Sequence, residues 1–241
     1  FLRWPVVRGA VALIYSLIVG IQVLSFSASQ FGGEEEKLTT KDLVFTMLTA
    51  LLFGVGLFIL LPTVLMRWLG KTNNAFLLSL GEGFLRLGIF LVYIVSITFI
   101  KDVRRIFEYH GAEHKVVHAF EAKGLPLTAA DAVPFSTLHP RCGTSFLLYV
   151  MVVSILLFAF LGWPRLYLRV LSRILLMPLV AGLSYEWLRL AGRSNSFLVK
   201  LLSGPGLWLQ KLTTREPDQA QLEVALVALR EVAQREPEVI L

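Results

Sequence analysis

Residues 43–66 read LVFTMLTALLFGVGLFILLPTVLM, and these 24 residues contain no charged side chain. A helix needs about 20 consecutive, mostly apolar residues to cross the hydrocarbon core of a bilayer. The stretch therefore predicts a transmembrane helix. Pro62 lies near its C-terminal end and predicts a kink there, because proline has no N–H to donate to the preceding turn.

The composition of the whole chain agrees with a membrane protein. The sequence has 241 residues, of which 56% are hydrophobic and 17% are charged, whereas an ordinary soluble domain has about 25% charged residues. This composition excludes a soluble enzyme and a disordered protein. The formal net charge is +6, but Lys and Arg accumulate in the cytoplasmic loops of multispanning proteins. We therefore expect the lipid bilayer, and no nucleic acid, as the partner.

Three further apolar stretches predict spans. Residues 146–161 form the clearest of them, and residues 75–100 are long enough although Glu82 and Arg86 interrupt the first half. These two side chains are four residues apart, so they can pair on one helix face. Residues 166–188 have only a short uncharged middle, and their flanking arginines would have to extend towards the membrane surface.

The first apolar stretch, residues 11–24, is either a re-entrant or interfacial helix or a fifth span. With four spans, the inside segments (1–42, 101–141 and 189–215) carry 15 Lys or Arg residues and the outside segments carry 5. With five spans, the same residues divide 13 to 7. Because basic loops stay in the cytoplasm, this comparison favours four spans, with both termini and the 101–141 loop inside.

The C-terminal part predicts an interfacial segment and an amphipathic helix. Ser203–Gly206 should break the chain, and Leu207–Leu209 should rest at the headgroup level. Glu216–Asp218 then looks like a helix start, with proline in the first turn and an acid near the positive helix end. Apolar residues recur at helical spacing from Leu222, so this tail should dock on its own loop or on another subunit.

The predicted fold class is thus an all-α integral membrane protein. It has about four transmembrane helices plus an N-terminal re-entrant or fifth spanning helix, a cytoplasmic His-rich helical loop and a C-terminal amphipathic helix. Small residues Ala12, Ser16 and Gly20 share one face of the first helix, where they would permit close helix packing and a homo-oligomer. The predicted regions are 1–42 (apolar helix and acidic loop), 43–100 (first transmembrane pair), 101–142 (His-rich loop), 143–190 (second transmembrane pair) and 191–241 (interfacial segment and amphipathic helix).

All four histidines lie in the loop between the two transmembrane pairs. On a helix, His110, His114, His118 and Glu121 fall within about 80° of one another, and Glu113 lies on the flank of this stripe. The helix should end at Gly124, which is followed by Leu125-Pro126. Thr128 and Asp131 should then cap a short second helix, and His139 and Cys142 come directly before the next span.

Histidines four residues apart can chelate one divalent transition metal, and zinc is the metal we expect. His110 and His118 are roughly 12 Å apart along the helix axis, so one ion cannot easily take both. Either His110 and His114 bind with a ligand from His139–Cys142, or His114 and His118 bind with Glu121 or that same segment. A two-ion site along the whole stripe is the third and less favoured arrangement.

The spacing His-x-x-Glu-His, with Glu113 before His114, also occurs in inverted zinc hydrolases, where the glutamate is the general base. The structural alternative is an amphipathic helix with surface histidines and with His139 and Cys142 as packing residues. Three histidines in register, with a fourth beside the only cysteine, favour metal binding or catalysis. The competing functions are a metal-dependent hydrolase, a non-enzymatic pore, transporter or assembly factor with a metal- or pH-sensitive loop, and an oligomeric scaffold.

Three motifs carry a resemblance to a known family: YHGAEHK at 109–115, LHPRCGTSF at 138–146 and PGLWLQKLTT at 205–214. They resemble the YqhQ-like bacterial membrane proteins, a domain-of-unknown-function family sometimes labelled as predicted metal-dependent enzymes. The resemblance implies a multipass protein of the bacterial inner membrane. Members usually carry a further N-terminal segment with a Gly-Gly-Gln-Ala-Val type motif. This sequence lacks that motif, so functional residues that the segment supplies cannot be assigned to positions in it.

Overall fold

The computed structural model describes residues 4–31, 40–70, 72–194 and 196–235. Within these ranges every regular element is helical, which confirms the all-α class. The acidic loop predicted around residues 34–36 lies outside the described residues. The elements are α1 (Val7–Phe31), α2 (Thr40–Val55), a π-helical segment (Gly56–Leu60), α3 (Leu61–Leu69), α4 (Ala75–Ile97), α5 (Lys101–Lys123), α6 (Ala129–Ala132), α7 (Gly143–Phe160), α8 (Leu166–Ala191), α9 (Phe197–Thr213) and α10 (Gln219–Arg235).

Five stretches of these helices, searched over the described residues, have the length and apolar composition of membrane spans. This confirms a multipass architecture. The 25-residue helix α1 is uninterrupted, so the first apolar stretch has the form that the fifth-span alternative requires. The candidate spans are Val7–Ser27, Val44–Leu69, Ala75–Ile97, Gly143–Phe160 and Tyr167–Ala191.

The predicted irregularity at Pro62 is present in the second of these spans. The helix passes through the π-helical segment before α3 begins at Leu61. Proline cannot donate to the carbonyl four residues earlier, which belongs to Phe58. The Arg86 Nε–H donates to that carbonyl oxygen instead, at 2.7 Å. A side chain of α4 thus provides a hydrogen bond that the helix backbone lacks.

The chain divides into two compact units, and the first comprises Phe1–Phe90 and Val150–Trp187. Within it, α1 packs closely on α8: a Cβ atom added at Gly9 would lie 2.6 Å from the Cβ of Tyr185. Beside this contact, Arg8 and Glu186 form an ion pair. The predicted pair between Arg86 and Glu82 is also formed, at 2.7 Å.

The second unit comprises Leu91–Tyr149 and Leu188–Leu241. Helix α5 ends where the sequence predicted, at Gly124, whose φ is +71°. The predicted cap of α6 is also formed, because the carboxylate of Asp131 accepts from the backbone N–H and the hydroxyl of Thr128. Helix α10 docks on the chain's own loop, against α5 and α6. Their shared core consists of Ala112, Val116, Ala119, Leu127, Ala129, Ala132, Leu222 and Leu226.

The prediction of a break at Ser203–Gly206 is wrong. Helix α9 runs without interruption from Phe197 to Thr213, with Pro205 inside it. The reason is tertiary packing, since a Cβ atom at Gly206 would lie 2.9 Å from both the Ser145 and Tyr149 hydroxyl oxygens. The prediction that Leu207–Leu209 rests at the headgroup level is wrong for Leu209, because this residue is buried and only 1% exposed. Burial of one face stabilises the helix enough to offset the missing proline N–H.

Candidate metal centre

Helix α5 presents His110, His114 and His118 along one stripe, as their spacing predicted. The segment from Thr137 to Cys142 runs beside this stripe and brings His139 and Cys142 to it. Ring centroids of successive histidines are 4.5 Å apart for His110 and His114, and 4.6 Å for His118 and His139. All four histidines and the cysteine therefore lie along one continuous row.

The row divides into two groups of three potential ligands. In the first group, His110, His114 and Cys142 offer ligand atoms that all lie within 4.8 Å of one another. Within this group, His110 Nε2 lies 3.2 Å from Cys142 Sγ. This group is the first of the arrangements that the sequence left open, with Cys142 as the ligand from the loop segment.

Hydrogen bonds fix the tautomers of both histidines in the first group. The Nδ1–H of His110 donates to the carbonyl oxygen of Thr213 at 2.8 Å, and the Nδ1–H of His114 donates to the carbonyl oxygen of Thr137 at 2.5 Å. A carbonyl can only accept, so each neutral ring carries its proton on Nδ1. In these neutral rings both Nε2 atoms keep a free lone pair, which is the state that metal-bound histidines adopt when a second partner orients them. A hydrogen bond from His110 to a thiolate at Cys142 instead requires a second proton on Nε2, which a bound metal ion would displace.

The electrostatics of the first group favour a thiolate. Burial opposes ionisation of Cys142, but hydrogen bonds with His110, His114 and Thr144 outweigh it and lower the pKa of the thiol to about 5. For His110, burial opposes the charged ring, yet the hydrogen bond to Cys142 and the charge on that sulfur raise its pKa. Zinc binds the thiolate form of cysteine, so this sulfur is ready as a ligand at neutral pH.

The second group consists of His118, Glu121 and His139, whose ligand atoms also lie within 4.8 Å of one another. His118 Nε2–H donates to the carbonyl oxygen of Leu138 at 2.8 Å, which leaves its Nδ1 free. The Nδ1 of His139 accepts from the backbone N–H of Arg141 at 3.3 Å. The neutral His139 ring therefore carries its proton on Nε2, the atom that lies 3.5 Å from the Glu121 carboxylate.

The second group suits a metal less well than the first. Burial and the neighbouring charge of His118 lower the pKa of His139 to about 4, so its ring is neutral at pH 7, with the proton on the nitrogen that would have to bind. Glu121 is already paired with Arg141. An ion here would need a different tautomer of His139 and a new partner for Arg141.

A buried glutamine holds the loop segment against the stripe. Gln210 on α9 is fully buried. Its Oε1 accepts from the backbone N–H of His139 at 2.8 Å, and its Nε2 donates to the His139 carbonyl at 2.8 Å and to the Ser145 hydroxyl at 2.7 Å. Gln210 thus sets the position from which Cys142 reaches the histidines.

A close backbone approach positions the other partner of the first group. A Cβ atom at Gly111 would lie 1.9 Å from the carbonyl oxygen of Arg215. The Arg215 N–H in turn donates to the carbonyl of Phe107 at 2.9 Å. The end of α9 can therefore touch α5 only where α5 has a glycine, and this contact brings Thr213 to His110.

The first group lies in the wall of a cavity of about 1120 Å³. Glu113 is exposed in the same wall, and within the described part of the chain its carboxylate forms no ion pair. The cavity is also lined by apolar residues, which are Val117, Phe120, Leu147, Leu229 and Val232. Of these, Leu147 belongs to the candidate span Gly143–Phe160, which Cys142 directly precedes.

The sequence did not single out Gln210, Thr213 or Thr137 as functional residues. Gln210 and Thr213 both lie in the third quoted motif, at 205–214, and a glutamine among apolar residues was an available signal. The role of Thr137 had no such signal, because its contribution is a backbone carbonyl, which every residue possesses.

These features define a multipass α-helical membrane protein with a cluster of histidine and cysteine side chains on a helical loop. The chain belongs to the family described as "Protein of unknown function (DUF1385)", whose model matches residues 4–235. It is 34% identical over 251 aligned residues to the uncharacterized protein YqhQ of Bacillus subtilis (strain 168), covering 96% of this chain and 78% of that protein. No solved structure matches the chain.

Proposed function

We propose that this protein is a zinc-dependent membrane enzyme of the hydrolase type, with His110, His114 and Cys142 as the protein ligands. One observation carries the proposal: two histidines donate their Nδ1–H to backbone carbonyls, and together with the low-pKa thiol of Cys142 they place three ligand atoms within 4.8 Å of one another. Three nitrogen or sulfur ligands with a position left open are typical of catalytic zinc sites, whereas structural sites have four protein ligands.

The surroundings support this assignment. When bound, zinc acts as a Lewis acid and lowers the pKa of water. Glu113 lines the same cavity and would accept the proton of the attacking water as general base. Arg141 and Glu121 form an ion pair in the wall of the same cavity. In the absence of metal, the thiolate of Cys142 and the ring of His110 stabilise one another's charge.

The lining of the cavity supports a substrate class. It combines the proposed ligands and Glu113 with apolar residues such as Phe120 and Leu147. Since Cys142 directly precedes a candidate span, a molecule with an apolar part in the bilayer and a hydrolysable polar bond fits best. A lipid-like or membrane-bound peptide substrate has this character.

We further propose that the His-rich loop and the C-terminus face the cytoplasm of the bacterial inner membrane. With either four or five spans, these segments lie on the side that carries more Lys and Arg, 15 to 5 or 13 to 7. Single cysteines in a Cys142→Ser background test this orientation. An impermeant maleimide applied to intact cells should label Asn73→Cys and spare Ala122→Cys; the reverse pattern would contradict the proposal.

The metal is tested by elemental analysis of detergent-purified protein without a polyhistidine tag. We expect close to one zinc per chain in the wild type and almost none in a His110→Ala/His114→Ala double variant. Absence of zinc, manganese and iron from the wild type, even after reconstitution with each metal, would exclude the metalloenzyme and leave the pore, assembly factor or scaffold.

Catalysis is tested separately with Glu113→Gln. This variant should keep its zinc, because Glu113 is outside the ligand group, and should lose about 10²–10⁴-fold in turnover, the usual contribution of a general base. A screen of lipid and peptide esters and amides against the zinc-loaded wild type supplies the substrate. Equal turnover by the wild type and Glu113→Gln would refute the role of Glu113.

A further inference from the structure

The first unit contains a second polar group, distant in sequence from the histidines. Glu82 is fully buried on α4 and accepts from three arginines: Arg86 at 2.7 Å, Arg173 at 3.0 Å and Arg169 at 3.1 Å. The Thr63 hydroxyl on α3 also donates to Glu82, at 3.1 Å. We refer to Glu82, Arg86, Arg169 and Arg173 as the arginine cluster.

The charges of the arginine cluster do not balance. One carboxylate faces three guanidinium groups, whose side chains are only 17%, 7% and 16% exposed for Arg86, Arg169 and Arg173. The described residues provide no second acid in these hydrogen bonds, so the cluster carries a formal charge of +2. Charges inside a membrane-spanning bundle are costly unless they are compensated. An additional anion would supply the compensation.

The cluster lies close to one end of its helices. Glu82 follows Ala75, the start of α4, by seven residues, and Arg173 follows Leu166, the start of α8, by the same number, which is about 10 Å of helix in each case. The two helix starts are adjacent, because the Ser79 hydroxyl donates to the carbonyl of Gly162 at 2.6 Å. Long arginine side chains at this depth can reach the headgroup region.

One arginine with an unused donor lines a narrow opening. Arg169 Nε is buried and has no hydrogen-bond partner among the described residues. Its guanidinium lies 3.7 Å from the ring centroid of Trp163, which holds the group flat. Arg169, Ser172 and Arg173 line a cavity of about 10 Å³ together with Phe158 and Leu161. Such a volume accepts about one oxygen-sized atom.

From these observations we propose that the arginine cluster binds a phosphate oxyanion, one oxygen of which enters the opening beside Arg169 and Arg173. Arginine forks match phosphate geometry through paired hydrogen bonds. The phosphate belongs to the headgroup of an anionic phospholipid or to a free phosphate. The small opening admits only one oxygen, so the remainder of the molecule lies outside it.

The first test uses wild-type protein that has been stripped of lipid in detergent. Thermal unfolding and native mass spectrometry are measured with phosphatidylglycerol, phosphatidylcholine and inorganic phosphate, at constant ionic strength. We expect phosphatidylglycerol to bind at least about tenfold more tightly than phosphatidylcholine and to raise Tm. Stabilisation by inorganic phosphate to the same extent would identify a free anion as the source. Equal effects of all three, or no effect, would overturn the proposal.

The second test localises the site. Arg173→Gln should weaken phosphatidylglycerol or phosphate binding about tenfold or more, whereas Arg193→Gln, which removes the same charge from an exposed residue outside the cluster, should leave binding unchanged. Arg173→Lys retains the charge and should recover only part of the affinity, since it lacks the planar fork. Unchanged binding by Arg173→Gln would refute the site. If Arg173→Gln does not fold, the comparison of lipids on the wild-type protein still tests the proposal.

Discussion

Gln210 and His139 exchange two hydrogen bonds, each of 2.8 Å, through which the side chain of one residue satisfies both backbone groups of the other. The two residues are 71 positions apart in the sequence. This pairing fixes the loop segment that ends at Cys142, and it connects α9 to the candidate metal centre. The geometry of the proposed ligands therefore depends on a residue outside the ligand group, whose amide is engaged with His139 and Ser145.

Replacing Gln210 with Leu should weaken zinc binding about 10–100-fold, the usual effect of removing a residue that orients metal ligands. It leaves the buried backbone N–H of His139 unpaired, whereas the His139 carbonyl still accepts from the Cys142 N–H at 3.2 Å. The protein should therefore also lose about 1–3 kcal/mol of stability, the usual cost of one orphaned buried group. Competition with a chromophoric chelator measures the affinity, and thermal unfolding measures the stability. Gln234→Leu, at an exposed position of α10, is the matched control and should change neither quantity.

Alanine variants of His114 and His118 should separate the two groups of potential ligands. His114→Ala removes a ligand of the first group and should abolish stoichiometric zinc. His118→Ala alters only the second group, so at least most of the zinc should remain. Both histidines lie on the same face of α5, and each donates to one backbone carbonyl. The two alanine variants therefore lose equivalent hydrogen bonds and can be compared directly. Loss of zinc in His118→Ala alone would move the site to the group of Glu121 and His139.

The single cysteine permits a direct test of the electrostatics. In metal-free protein the pKa of Cys142 is about 5, below the ordinary value of a thiol, so its thiolate is fully formed above that pH and is lost as the pH falls through 5. The rate of alkylation by iodoacetamide should therefore be half-maximal near pH 5. In His110→Ala the midpoint should rise, because burial then opposes the thiolate with less compensation. A midpoint that His110→Ala leaves unmoved would show that this histidine does not stabilise the thiolate.

Gly111→Ala should destabilise the protein, because a Cβ atom would come within 1.9 Å of the Arg215 carbonyl oxygen. Overpacking of this kind costs about 1–3 kcal/mol. The same variant should separate Thr213 from His110 and so weaken zinc binding. Gly204→Ala serves as control, since no atom lies within 4 Å of its added Cβ; it should be neutral or stabilising in α9. Thermal unfolding of both variants, with and without zinc, makes the comparison.

Local signals in the sequence predicted most of the individual helices. The uncharged run at 43–66 predicts a span through its length alone, and Gly124 and Asp131 predict the end of α5 and the start of α6 from local backbone chemistry. The prediction of a break at Ser203–Gly206 was wrong because tertiary packing there outweighs the local preferences of the sequence. Local propensity counts Gly204 and Pro205 against a helix, but the contacts of Gly206 with Ser145 and Tyr149 come from a distant part of the chain.

The sequence by itself determined that this is a multipass helical protein and that its histidines share one helix face, because both properties follow from hydropathy and from the 3.6-residue period. Only the tertiary structure decided how those histidines divide, since the choice depends on which backbone carbonyls meet their rings. The carbonyls that accept from the three rings belong to Thr213, Thr137 and Leu138. Folding of the chain brings them to the histidines, and no pattern of side chains in the sequence predicts this. The arginine cluster has the same origin: α4 and α8 carry ordinary flanking charges in sequence, and their packing alone gathers three arginines around Glu82.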